Sequence, residues 1–180
     1  MKTKNRKPTF TVREAAEKDI PVLVDFLIEI GLHVSGAPRQ TLSQQADERL
    51  RKFLRGYIHD NEKHIVVACT SRGRVVGMGN IQIWHSPNLW EEAEELDLKS
   101  AFIDDLWVEP DFREQGIMTL ILDELIRFAE YHGIQELFLE YSLSNKEAAA
   151  VWERLGFNPT GVRAAAWTRN VREKLSGVGS

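Results

Sequence analysis

The sequence predicts an α/β fold, a mixed and mostly antiparallel sheet of about six or seven strands with helices on both faces, read as a single domain over residues 1–180. Three observations lead there. Helix-period and strand-period stretches interleave along the chain. Two strand patterns, 64–70 and 75–84, are joined by "SRGR", a glycine-containing hairpin turn, so the sheet is not wholly parallel. The chain has 180 residues and 43% hydrophobic content, enough for one sizeable core.

Each element follows from local chemistry. Residues 1–8 form a basic tail without the apolar stretch of a signal peptide. Thr9 to Glu14 alternates as a first strand. Asp19 is a candidate cap for a helix with Pro21 in its first turn and Gly31 or Gly36 at its end. A second helix, about Leu42 to His59, places Leu50, Phe53, Leu54 and Tyr57 on one stripe. After the hairpin, "HSPNLWEEAEELDLKS" breaks the pattern with Glu91, Glu92, Glu94, Glu95 and Asp97. This reads as a solvated acidic loop, or as a rim that attracts a cationic acceptor. Ala101 to Val108 is the next strand, with the doublet Asp104–Asp105 at its middle. A helix from Ile117 to His132 turns Ile117, Leu120, Ile121, Leu125, Phe128 and Ala129 to the core and closes at Gly133. Glu136 to Ser142 is a strand, and a helix capped by Ser144 or Asn145 runs to about Leu155. "GVRAAAWTR" is read as a last strand and residues 173–180 as a tail.

Composition narrows the function. A net charge of −4 gives no sequence-wide attraction to nucleic acid. No apolar run reaches the roughly 20 residues of a membrane span, so a cytoplasmic protein is expected. Cys69, the one cysteine, lies in an apolar strand pattern and reads as a structural thiol. The histidines (33, 59, 64, 85 and 132) have no metal-ligand spacing, so no metal is expected. Neither nucleotide-loop glycine motif is present.

The informative stretch is "VEPDFREQGIMTLIL", Val108 to Leu122. A strand end leads through a glycine-containing turn into an amphipathic helix. A helix start exposes unsatisfied N–H groups and favours an anion, and Gly116 allows close approach to the backbone. The pattern fits a phosphate cradle, and equally an ordinary strand-to-helix loop. Downstream, "LFLEYSLSNKEAAAVWERLGF" gives a strand, an Asn at a helix start, alanines, and an aromatic residue before "ERLGF".

With both stretches in view, the chain resembles the GNAT superfamily of N-acetyltransferases. The first family signature, Q/R-x-x-G-x-G/A after a strand, is matched by Arg113 and Gly116. The second is matched by Asn145, Ala148, Leu155, Gly156 and Phe157, with Trp152 where Tyr is usual. The resemblance covers about residues 101–161. It implies acetyl-CoA as co-substrate and no metal, with the diphosphate on the backbone from Arg113 through Glu114, Gln115, Gly116, Ile117 and Met118 to Thr119. The pantetheine arm would pair with Leu106, Trp107 and Val108 like an extra strand, beside Asn145 and Trp152.

Two residues depart from the family. Met118 stands where Gly or Ala is preferred, and Trp152 replaces the Tyr that protonates the departing thiolate in many members; an indole N–H is no acid near neutral pH. The family reaction needs a deprotonated amine and no covalent intermediate, so Cys69 is not needed. Glu140 matches the base of the branch that acetylates ribosomal-protein N-termini. Asp104 and Asp105 are the other candidate bases, of which strand alternation turns only one to the cleft. Tyr141 is the phenol nearest in sequence to serve as acid. The resemblance thus implies acetyl transfer to a primary amine of a small molecule or protein, with no nucleic acid or membrane partner, and it allows a homodimer. A non-catalytic acyl-CoA-binding module and transfer of another acyl group are the alternatives.

Overall fold

The computed structural model describes residues 9–36, 42–85 and 99–177. The tail at 1–8 and the acidic stretch from Glu91 to Asp97 lie outside the described residues. The chain divides into two compact units, residues 1–140 and 141–180.

The first unit holds β1 (Phe10–Glu14), α1 (Ile20–Ser35), α2 (Gln44–Ile58), β2 (Lys63–Thr70), β3 (Val75–Trp84), β4 (Ser100–Val108), α3 (Ile117–Tyr131) and β5 (Glu136–Leu139). The sheet order is β1-β2-β3-β4-β5. The first three pairings are antiparallel, and β4 with β5 is parallel. Five strands form among the described residues, fewer than the six or seven expected. The expected last strand is missing: residues 161–167 have no regular structure, and Thr168 already starts a helix. Ala164, Ala165 and Ala166 lack the branched side chains that favour a pleated surface.

Alternation along the strands creates two cores. Ile65, Val67 and Cys69 of β2 and Met78 of β3 face Leu23, Val24 and Phe26 of α1 and Leu54 and Tyr57 of α2. The opposite face of β3 carries Gly77, Gly79 and Ile81, and α3 lies over it with Ile117, Ile121, Leu125 and Ala129 buried. The glycines set how closely α3 approaches. A Cβ on Gly79 would stand 2.5 Å from Ile121 Cγ2 and 2.7 Å from Leu106 Cδ2. Gly79→Ala is therefore expected to cost about 1–3 kcal/mol through overpacking. A denaturant midpoint lower than wild type at unchanged m-value checks this; an unchanged midpoint means α3 is free to shift outward.

Several boundaries differ from the sequence reading. Asp19 sits at the start of α1 but does not cap it with its side chain. Its buried carboxylate instead takes both guanidinium nitrogens of Arg13, at 2.7 and 2.8 Å, and the N–H of Ala16 at 2.9 Å. The Arg13 hydrogen bonds hold that carboxyl below its usual range. Gly36, at φ 63°, ends α1, and Ser43 caps α2 by accepting the Ala46 N–H. Leu120 is 41% exposed rather than buried. β5 ends at Leu139, before Glu140.

The second unit contains α4 (Lys146–Arg154) and α5 (Thr168–Gly177). Arg172, Glu173, Lys174 and Leu175 are good helix formers, and they continue α5 where a tail was expected. Among the described residues, no helix is long and apolar enough to cross a membrane, and no cluster of ligating side chains could hold a metal ion.

Candidate active site

Between β4 and α3 the chain makes a one-turn 3-10 helix, Pro110–Phe112, and then reverses sharply. Glu114 adopts φ 60° and Gly116 φ 82°, both left-handed. Left-handed backbone is strained for a glutamate, and such residues turn successive N–H groups toward one side. None of the N–H groups from Gln115 to Thr119 meets an acceptor among the described residues. The first bond of α3 is the Leu120 N–H donating to the Gly116 carbonyl at 3.3 Å. The space a Cβ on Gly116 would enter is open, with no atom within 4 Å. Ile117 is buried and anchors the turn, Met118 is half-buried, and Thr119 is exposed.

Arg113 is fixed from behind. Its Nε donates to the Val108 carbonyl at 3.1 Å, and its guanidinium lies 5.0 Å from the Trp107 ring centre. The Gln115 side chain donates to the Asp111 carbonyl at 3.1 Å. The turn and the end of β4 are thus tied together before any ligand arrives.

Beside this turn the sheet opens. β5 pairs with β4 only from Ser100↔Glu136 to Ile103↔Leu139, so β4 beyond Asp104 loses that neighbour. The Glu109 N–H donates to the Val76 carbonyl. By antiparallel alternation, the backbone groups of Leu106 and Val108 point away from β3 into the opening.

A β-bulge sits at the point of divergence. Gly79 pairs with Leu106 and Ile81 with Ile103, so two β4 residues, Asp104 and Asp105, oppose Asn80 alone. Gly79 faces α3, and Ile103 and Leu106 share its face. Both aspartates are therefore carried to the α1/α2 side, which corrects the expectation that alternation turns only one of them inward. Both carboxylates act on the same phenol, Tyr57 of α2.

The group is electrostatically tense. Burial, then the Asp104 charge, pushes the Asp105 carboxyl up to about 6, against a smaller opposing effect of its hydrogen bond from Asn80. Burial and then Glu140 push Asp104 up as well. Burial foremost raises the Tyr57 phenol, which therefore stays protonated. Tyr57 donates to Asn80 Oδ1 at 3.4 Å, and Asn80 Nδ2 donates to Asp105 Oδ2 at 3.3 Å. Asn80 and Tyr57 are absent from the sequence-derived site. The available signals were an amide amid the apolar residues of "VVGMGNIQIW" and a phenol on the core stripe of α2.

In the second unit, Asn145 caps α4 by accepting the Ala148 N–H at 3.0 Å. The Trp152 ring meets Phe157 edge-on at 5.4 Å, and Tyr141 precedes α4 in the connecting turn.

Comparison with known proteins shows the family. The model of the acetyltransferase (GNAT) family matches residues 28–157. The chain belongs to that family. A relative, the [ribosomal protein bS18]-alanine N-acetyltransferase of Escherichia coli K12, is 38% identical over 69 residues. That stretch is 38% of this chain and 47% of the relative, so the match spans about half the length of the curated relative. Among solved GNAT-like folds, a predicted acetyltransferase from Clostridium acetobutylicum with acetyl-CoA superposes with a TM-score of 0.68 at 20% identity, covering 90% of this chain and 98% of that one. A Bacillus halodurans protein described as a transcriptional regulator gives 0.70 at 21% identity, covering 88% and 99%. At these identities the two structures support the GNAT fold alone.

Proposed function

We propose that this GNAT-family chain is an acetyl-CoA-dependent N-acetyltransferase acting on a primary amine, by direct attack in a ternary complex. We read both units as one acetyltransferase domain, because the family match runs across their boundary. The observation that carries the function is the row of unaccepted N–H groups from Gln115 to Thr119 beside the open edge of β4. A diphosphate fits there: the donors follow one another along the turn without acceptors, the space a Cβ on Gly116 would enter is clear, and the Arg113 guanidinium is held at the same turn. Leu106 and Val108 offer backbone partners to an amide-bearing arm, and Trp107 between them is assigned to the cofactor on the resemblance alone. Asn145 and Trp152 are assigned to the cofactor on the motif alone.

Bound acetyl-CoA supplies the activated acyl carbon. The chain's own contribution is at the bulge. An ammonium cannot attack, so a base must accept a proton from the amine as the N–C bond forms and the C–S bond breaks. Asp105 is the base we favour, since a carboxyl raised to about 6 is mostly ionised at neutral pH yet still holds a proton well. Asp104 and Glu140 keep the region negative, which favours approach of a cationic amine. The Escherichia coli relative supports a protein N-terminus as one acceptor. Release of free thiol from acetyl-CoA across a panel of small amines and N-terminal peptides tests the reading. Amine-dependent release supports it. Stabilisation by acetyl-CoA without release from any amine would identify a binding module instead.

A further inference from the structure

We propose that Asn80 is a positioning residue for Asp105, and that Tyr57 fixes the way the Asn80 amide points; this rests on Asp105 being the base. Asn80 is 5% exposed and occupies the single β3 position opposite the bulge that carries Asp104 and Asp105. Its amide has one accepting and one donating end, and each has one use here: Oδ1 accepts from Tyr57, and Nδ2 donates to Asp105. Burial and the two aspartate charges keep the Tyr57 phenol protonated, so it donates throughout the working pH range. Turning the amide around would set Oδ1 against a carboxylate and Nδ2 against a hydroxyl proton. The phenol thereby selects the orientation in which Asn80 donates to Asp105.

The arrangement answers a problem created by the bulge. Asp105, half-buried beside the exposed Asp104, is repelled by it and loses solvent, and a carboxylate so placed turns away or takes up a proton. A buried neutral donor restrains one of the two oxygens without supplying a counter-charge, leaving the other oxygen for the amine or a water. A lysine or arginine in place of Asn80 would lower the basicity of Asp105 by direct pairing. Among the described residues, the other charged groups around this face are Asp104 on the same strand, Glu140 beyond β5, Asp60 after α2, and Lys63, which lies over the Tyr57 ring and pairs with Asp60. From α1, His33 meets Trp107 two residues along β4 from Asp105.

The test uses Asn80→Leu, which keeps the volume and removes the donor, and Tyr57→Phe, which keeps the ring and removes the hydroxyl. With Asn80→Leu, kcat should fall roughly 10–100-fold through misplacement of the base, while acetyl-CoA affinity is retained. The acidic limb of kcat/KM should move to higher pH by about 0.5–1 unit, because the lost donor had favoured the ionised carboxylate. Tyr57→Phe should move both in the same direction by less. On an Asp105→Asn background, Asn80→Leu should cost almost nothing further, since it acts through a carboxylate already gone. NMR titration of the Asp105 carboxyl carbon reads the same upward shift without substrate, in a protein of any activity. If the titration and the acidic limb stay in place in both variants, the positioning role is overturned even when Asp105→Asn is inactive. If Asp105→Asn is active while the Asp105 titration still shifts, the hydrogen-bond chain stands and the base assignment falls.

Discussion

Asp105→Asn is expected to lower kcat/KM for acetyl transfer roughly 10²–10⁴-fold, the usual contribution of a general base. The substitution keeps the shape and can still accept from Asn80 Nδ2, so the bulge has no reason to rearrange. Acetyl-CoA affinity should hold, because the donors assigned to the diphosphate lie at the start of α3. The wild-type acidic limb should fall near the Asp105 titration at about 6 and disappear in the variant, leaving the titration of the amine itself. Glu140→Gln and Asp104→Asn are the comparisons. Each removes a neighbouring negative charge and should lower the acidic limb while leaving substantial activity. If Glu140→Gln collapses and Asp105→Asn does not, the base is Glu140, just past the end of β5.

The same substitution should stabilise the protein at neutral pH. The folded Asp105 carboxyl titrates at about 6, against 3.8 for an ordinary aspartate. Between those values the folded state binds a proton that the unfolded chain does not, so stability falls as pH rises through the window and the loss is complete above it. Removing the charge recovers that loss, partly screened because Asp105 is only half-buried. For a chain of this size, each kcal/mol recovered raises Tm by roughly 2–4 °C. Activity and stability should therefore move in opposite directions in one variant, which separates a strained functional carboxylate from a merely misfolded one. A Tm that falls at neutral pH would show that the Asp105 charge is not a net cost to the fold and would overturn this reading.

The turn at Arg113 and Gly116 was legible because its chemistry is local: a strand end, a glycine at positive φ and a helix start follow one another within a few residues. The arrangement around Asp105 was not, because it depends on pairing between distant segments. Alternation along β4 alone turns Asp104 and Asp105 to opposite faces; only the register against Gly79 and Ile81 carries both to one side. Tyr57 and Asn80 are 23 residues apart and meet only when α2 is laid on the sheet. The early end of β5 is of the same kind: "LFLEYS" reads as continuous strand, yet pairing with β4 stops at Leu139. Helix starts and turns declare themselves in sequence, whereas bulges and strand divergence are properties of the assembled sheet.

Gly116→Asp is expected to abolish binding of acetyl-CoA while leaving the apo fold intact. Gly116 holds φ 82°, a left-handed conformation that aspartate tolerates better than most side chains. No atom lies within 4 Å of the position its Cβ would take, so the substitution meets no steric obstacle inside the protein. What it meets is the ligand: a carboxylate would project into the space assigned to the diphosphate, opposing the partial positive charge of the α3 start with a full negative one. Binding should weaken by about 100-fold or more, which is roughly 2.7 kcal/mol. At acetyl-CoA near 100 times the wild-type Kd, that loss removes almost all of the stabilisation a bound ligand confers. The thermal shift should accordingly vanish while the apo Tm moves little. Gly116→Asn, of similar size and left-handed tolerance but neutral, should keep part of the shift, and the gap between the two variants measures the charge. Arg113→Ala should weaken binding less and also loosen the end of β4, since its Nε bond to Val108 and its contact with Trp107 go with it. A Gly116→Asp protein whose acetyl-CoA shift equals wild type would place the diphosphate elsewhere and remove the observation on which the proposed function stands.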